Sequence, residues 1–128
     1  MPMRILIVDD SRIMRNIVKN TLLNLKYPAD VFTEAADGEE AFSILEKSEI
    51  TLLLLDWNMP NLNGLELVKR LRSLEKFQNL PIIMVTSEAA KYNIIEAVKA
   101  GVTDYLVKPV NEKSLQEKIR SVLEGTTV

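Results

Sequence analysis

Five short apolar runs punctuate the chain, and segments of helical period fill the gaps between them. The runs are RILIV (residues 4–8), VFTEA (31–35), TLLLL (51–55), PIIMV (81–85) and TDYLV (103–107). The first, third and fourth are apolar almost without interruption, as in strands covered on both faces of a parallel sheet. Between the runs, Ile13, Ile17, Thr21 and Leu25 recur at four-residue spacing, as do Leu115, Ile119 and Leu123. Leu67, Leu71 and Leu74 mark a third helical stripe, and Ile94, Ile95 and Val98 a fourth. GEEAFSILEK carries the weakest pattern, through Phe42 and Leu45. A strand followed by a helix, repeated five times, predicts an open α/β sheet with helices on both faces and right-handed crossovers.

At 128 residues the expectation is one domain over residues 1–128, with a tail, GTTV, too short for an output domain. A formal net charge of -2 gives no basic footprint for nucleic acid or an acidic membrane surface. Cys and His are both absent. Disulfides, thiolate or imidazole metal sites and cysteine or histidine catalysis are thereby excluded, leaving carboxylates, hydroxyls, Lys or a bound ion. The apolar runs are far shorter than a membrane span, so a soluble, cytoplasmic protein is expected.

In an open parallel sheet the ligand site lies beyond the carboxyl ends of the strands. The residues that follow the runs are Asp9 and Asp10, then Asp37 and Gly38, then Asp56, then Thr86 and Ser87, then Lys108 and Pro109. Each admits a bland reading. DDS before a helix is usually an N-cap, Asp56 ahead of NMPNLNG a turn residue, and Thr86 a cap for the fourth helix. No structural need, however, puts acid, acid, hydroxyl and lysine in matching places of successive units, so their convergence reads as a site. A carboxylate set back to back with four leucines also needs a partner or a purpose.

Three carboxylates in one place repel by a few kcal/mol per pair even at an effective dielectric of about 20, and so call for a cation. Oxygen-only ligands in small number favour Mg2+ with retained waters over a full Ca2+ cage. Such an ion prepares the site for a phosphoryl group, with Thr86 and Lys108 on its other oxygens and Asp56 placed to attack.

ILIVDDSR, LLLLDWNMPNLNGLELVKRLR, PIIMVTSEAAKYNIIEAVKAG and DYLVKPV resemble the receiver domains of two-component response regulators, over nearly the whole chain. The resemblance implies a flavodoxin-like, five-stranded parallel sheet of order 2-1-3-4-5 with five helices. It implies that Asp56 accepts a phosphoryl group from a histidine kinase. Asp10, Asp56 and the carbonyl of Asn58 would hold Mg2+ directly, with Asp9 acting through water. Thr86 and Tyr105 look like the family's switch pair, and Lys108, followed by a cis bond to Pro109, like its site lysine. Asn58 and Glu88 would flank the water that removes the phosphoryl group. DWNMP, Glu88 and NIIEA are most like the chemotaxis branch, which implies a monomer acting on a target protein through the fourth helix, fifth strand and fifth helix. Lys91 and Lys118 stand there, and the flagellar motor switch is among such targets. KYPADVF looks about two residues longer than the usual chemotaxis form, Ser11 replaces a bulkier residue, and Val110 stands where an aromatic is common.

Within the family, the alternatives are a receiver signalling to a non-flagellar partner, a phosphate relay or sink, or one that signals by binding alone. Outside it, a haloacid-dehalogenase-like phosphatase also uses an aspartyl nucleophile, but it needs a second Asp two residues on, where this chain has Asn58. A dinucleotide-binding domain is disfavoured because VDDSR lacks the glycines that admit a pyrophosphate.

Overall fold

A computed structural model of the chain describes residues 3–57, 59–87 and 91–124, the side chains of residues 91–93 and 124 excepted. The strands are β1 (Ile5–Val8), β2 (Phe32–Ala35), β3 (Leu52–Asp56), β4 (Ile82–Thr86) and β5 (Asp104–Val107). The helices are α1 (Arg12–Asn24), α2 (Gly38–Lys47), α3 (Gly64–Arg72), α4 (Lys91–Ala100) and α5 (Glu112–Glu124). All pairings are parallel, and the order is β2-β1-β3-β4-β5, as expected.

The continuous apolar runs do become doubly covered strands. Leu6, Val8, Leu53, Leu55, Ile82 and Met84 face the layer of α2, α3 and α4, where they meet Ala41, Leu45, Leu67, Val68, Leu71 and Ala97. The alternate residues Ile5, Ile7, Leu52, Leu54, Ile83 and Val85 face α1 and α5, against Val18, Leu22, Leu115, Ile119 and Val122. Every residue of β1, β3 and β4 is buried. At roughly 25 cal/mol per Å2 of apolar surface, each such Leu or Ile is worth about 2 kcal/mol against exposure.

Three helical stripes differ from the sequence expectation. On α1, Ile13 is 73% exposed and Ile17 40%, whereas Val18, Thr21 and Leu22 are buried. At about 100° per residue a strict four-residue spacing turns by about 40° per step, which carries Ile13 and Ile17 off the face that buries Thr21. Among the described residues of α4 the buried one is the small Ala97, while Ile95 and Val98 are exposed. Leu74 lies beyond the end of α3 and is also exposed. Asp56, expected just after the third strand, is its last residue.

Local chemistry fixes the turns above the strands. Ser11 caps α1, its hydroxyl accepting the Met14 N–H at 3.2 Å, so capping does not consume Asp9 or Asp10. Asp37 caps α2 through the Glu40 N–H at 2.8 Å, and Asn63 and Glu66 form a capping box at α3. Two glycines permit close backbone approach there. A Cβ on Gly64 would collide with the Asp56 carbonyl oxygen, and one on Gly38 with that of Leu62.

Candidate functional site

Strand register sets the floor of the site. Val8 pairs with Leu55, which makes Asp9 and Asp56 neighbours at the ends of β1 and β3. Asp56 pairs with Val85, so Thr86 stands one residue higher on β4, and Thr86 pairs with Val107, which puts Lys108 next. Four residues far apart in the chain are thereby delivered to one end of the sheet.

Asp9, Asp10 and Asp56 each offer a carboxylate oxygen, and these oxygens lie within 4.8 Å of one another. Lys108 spans two of the acids, its Nζ donating to Asp9 Oδ2 at 3.2 Å and to Asp56 Oδ1 at 3.3 Å. Asp9 and Asp56 are each only 6% exposed, whereas Asp10 is exposed and faces an open groove of about 450 Å3 with Met59, Pro60 and Asn63. The protected acids form the floor, and the third opens to solvent.

The electrostatics follow from burial. The Asp56 carboxyl is pushed up to about 6 by loss of water and by the adjacent Asp9 charge, which Lys108 only partly offsets. Burial alone would depress the Lys108 ammonium, but the Asp56 and Asp9 charges and hydrogen bonds outweigh it and hold it above its usual range. One lysine is thus too little positive charge to make ionised Asp56 comfortable. This donor set fits a hard divalent cation: three carboxylates, two of them buried, with a charge deficit and an open side that leaves room for water ligands.

Thr86 is 3% exposed, and its carbonyl accepts the Lys108 N–H at 2.9 Å, a bond that ties β4 to the lysine. The Lys108–Pro109 peptide is cis, as expected. Tyr105 pairs with Met84, so its side chain shares a face of the sheet with Thr86, two residues further along β4. It is partly buried, packed against the apolar cluster on the face that α2, α3 and α4 cover. Lys118, expected as a partner-facing lysine, hydrogen-bonds Asp104 Oδ1 at 3.1 Å and lies 5.2 Å from the centre of the Tyr105 ring. Asn58, Glu88 and the side chain of Lys91 lie outside the described residues.

The braces around the acids are not among the residues that the sequence singles out. Arg15 donates from Nη1 to the Asp9 carbonyl at 2.6 Å and from Nε to Glu34 at 2.9 Å, and Lys19 meets the same Glu34 at 2.7 Å. These cations hold the Glu34 carboxyl below its usual range, although burial works against them. Asp9 Oδ1 also accepts the Ser11 N–H at 2.9 Å. A lone acid in the second strand and basic residues four apart on the first helix were the available signals. On the other side Asn61, at a φ of 68°, donates to Asp37 Oδ2 at 2.9 Å and ties the loop after β3 to the cap of α2.

The profile of the response regulator receiver domain matches residues 5–120. The chain belongs to that family. It is 50% identical over 122 residues to the chemotaxis protein CheY homolog of Campylobacter jejuni, spanning 94% of this chain and 92% of that protein. The solved structure of Vibrio cholerae CheY4 is similar at a TM-score of 0.84 and 34% identity, over 95% of this chain and 99% of that one. A receiver domain of a Pseudomonas aeruginosa sensor histidine kinase, solved with a magnesium ion coordinated in its active-site cleft, is similar at a TM-score of 0.84 and 28% identity. That match covers 96% of this chain and 98% of the other. Membership makes this receiver a signalling protein rather than an enzyme with a separate substrate, and sets aside the phosphatase alternative. Among the described residues no helix is long and apolar enough to cross a membrane.

Proposed function

We propose that this receiver is a phosphorylation-activated chemotaxis response regulator in which Asp56 is the phosphoacceptor. The observation that carries the reading is the meeting of Asp9, Asp10 and Asp56 within 4.8 Å, with Lys108 between two of them, at the ends of three strands. The chemotaxis assignment is supported by near-full-length identity to chemotaxis proteins. Asp10, Asp56 and the Asn58 carbonyl would hold Mg2+, with Asp9 acting through water. Bound there, the ion would neutralise charge on the phosphoryl oxygens.

The remaining chemistry belongs to the chain. One carboxylate oxygen of Asp56 bonds to phosphorus as the P–N bond of a kinase phosphohistidine breaks and its electron pair returns to the imidazole. An acyl phosphate results. Burial keeps bulk water from the nucleophile, and the Lys108 ammonium, already beside Asp56 Oδ1, stays with the phosphoryl oxygens as the charge grows. Thr86 supplies a hydroxyl to the same group. As it turns inward it vacates space on the face it shares with Tyr105, and an amphipathic ring can fill that space at modest cost. The surface of α4, β5 and α5 is thereby reshaped for a partner protein, and the chemotaxis likeness points to the flagellar motor switch. In this reading the protein is a monomer acting in the cytoplasm.

Incubation with phosphoramidate and Mg2+ tests the reading by intact mass. The parent should gain one phosphoryl group and Asp56→Asn none. A full gain in the variant would remove Asp56 from its role.

A further inference from the structure

Lys118 is not a free surface charge. It springs from α5, yet its ammonium sits at the edge of the sheet beside β5, where it meets two consecutive strand residues at once. Asp104 Oδ1 holds it at 3.1 Å, and the Tyr105 ring centre lies 5.2 Å away. The same Asp104 oxygen accepts the Tyr105 N–H at 2.8 Å, so the acid is itself fixed to the backbone that carries the ring. Both charged side chains are partly shielded, with 33% of Lys118 and 23% of Asp104 exposed. The ring also packs against the apolar cluster on the face of the sheet that α2, α3 and α4 cover.

We propose that Asp104 and Lys118 form an electrostatic latch that holds the Tyr105 ring in its half-buried position and so sets how readily Tyr105 moves. This rests on the reading of Tyr105 as a switch residue and extends it to two positioning residues. The physics is local. Asp104 removes most of the freedom of the lysine chain, which leaves the ammonium over the ring face at little further entropic cost. Rotation of Tyr105 forfeits the cation–π contact, and Lys118 is then held by Asp104 alone. The latch therefore opposes any movement of the ring. It also keeps the Lys118 charge turned inward, so that an acidic partner segment at the α5 edge competes with Asp104 alone, rather than with Asp104 and the ring together, once Tyr105 has moved. The one cation–π contact that rotation forfeits biases a two-state ring by roughly two- to fivefold.

The test uses the full chain labelled with 3-fluorotyrosine. Its three tyrosines give three fluorine signals, and Tyr105→Phe identifies the one at issue. Lys118→Met and Asp104→Asn should each move the Tyr105 signal in the same direction. The double variant should move it no further than Lys118→Met alone, because the two residues act as one unit. Lys118→Arg, which keeps the charge and can stack on the ring, should restore the parent position. In the presence of Mg2+ and beryllofluoride, a phosphoryl mimic, half-conversion of the signal should need roughly two- to fivefold less beryllofluoride in the two single variants. An unmoved Tyr105 signal in Lys118→Met, or additive shifts in the double variant, would overturn the latch. A parent that ignores beryllofluoride would instead overturn the phosphoacceptor reading, while the signal positions without it still decide the latch.

Discussion

Asp56 is costly to the resting fold, and removing its charge should stabilise the protein. Its carboxyl stands at about 6 against an ordinary 3.8, so the folded chain binds a proton more tightly than the unfolded chain does. Between those two values the folded state therefore holds the extra proton, and stability falls as pH rises through the window. Above it the whole penalty is present. A difference of roughly two pKa units at about 1.4 kcal/mol each gives about 3 kcal/mol. Part of that is returned in Asp56→Asn, because Lys108 loses one of its two acids. A net gain of about 1 to 3 kcal/mol should remain, worth roughly 4 to 12 °C in a domain of this size. The assay is thermal unfolding of parent and Asp56→Asn at pH 7.5 and pH 4, with EDTA present. The variant should melt higher at pH 7.5 and almost together with the parent at pH 4. Mg2+ at pH 7.5 should narrow the gap by stabilising the parent. Equal melting at pH 7.5, or a gain that persists unchanged at pH 4, would refute the reasoning from buried charge.

Three further outcomes are expected. Trp57 adjoins Asp56, and its fluorescence should report Mg2+ titration of the parent while Asp10→Ala shows at least a tenfold weaker response; an unchanged titration would remove Asp10 from the ligand set. Thr86→Ala should accept the phosphoryl group yet lose most of the gain in partner affinity that phosphorylation brings, a gain of about ten- to a hundredfold at 1.4 to 3 kcal/mol of coupling. Replacing Asn58 with Arg should slow loss of the phosphoryl label several-fold, read by intact mass over time, by obstructing the attacking water.

The topology and the chemistry were legible in the sequence for the same reason. Both depend on what happens at the ends of continuous apolar runs, and four of those ends carry a site side chain. Helix faces were less legible. Large apolar side chains mark out Ile13, Ile95 and Val98, whereas the buried positions are Val18 and Leu22 on α1 and, among the described residues of α4, the small Ala97, because the angle about the helix axis rather than residue size sets burial. The braces were hidden for a different reason. Arg15 reaches the Asp9 carbonyl and Glu34 across the β1 and β2 ends, and the four-residue spacing of Arg15 and Lys19 marks a shared helix face without naming the strands it reaches. The bond from Lys118 to Asp104 is of the same kind, which is why a lysine that reads as partner-facing in the chain is turned toward Tyr105 in the fold.

The identity of the carboxylate that becomes an acyl phosphate is the most direct measure of the whole account. Borohydride reduction of protein labelled with phosphoramidate and Mg2+ converts an acyl phosphate to an alcohol, and peptide mapping then locates it. The account predicts homoserine at position 56 alone, within the peptide that carries Leu52 to Leu55. Homoserine at position 9 or 10, or a label that survives at full level when Asp56 is replaced by Asn, would contradict it.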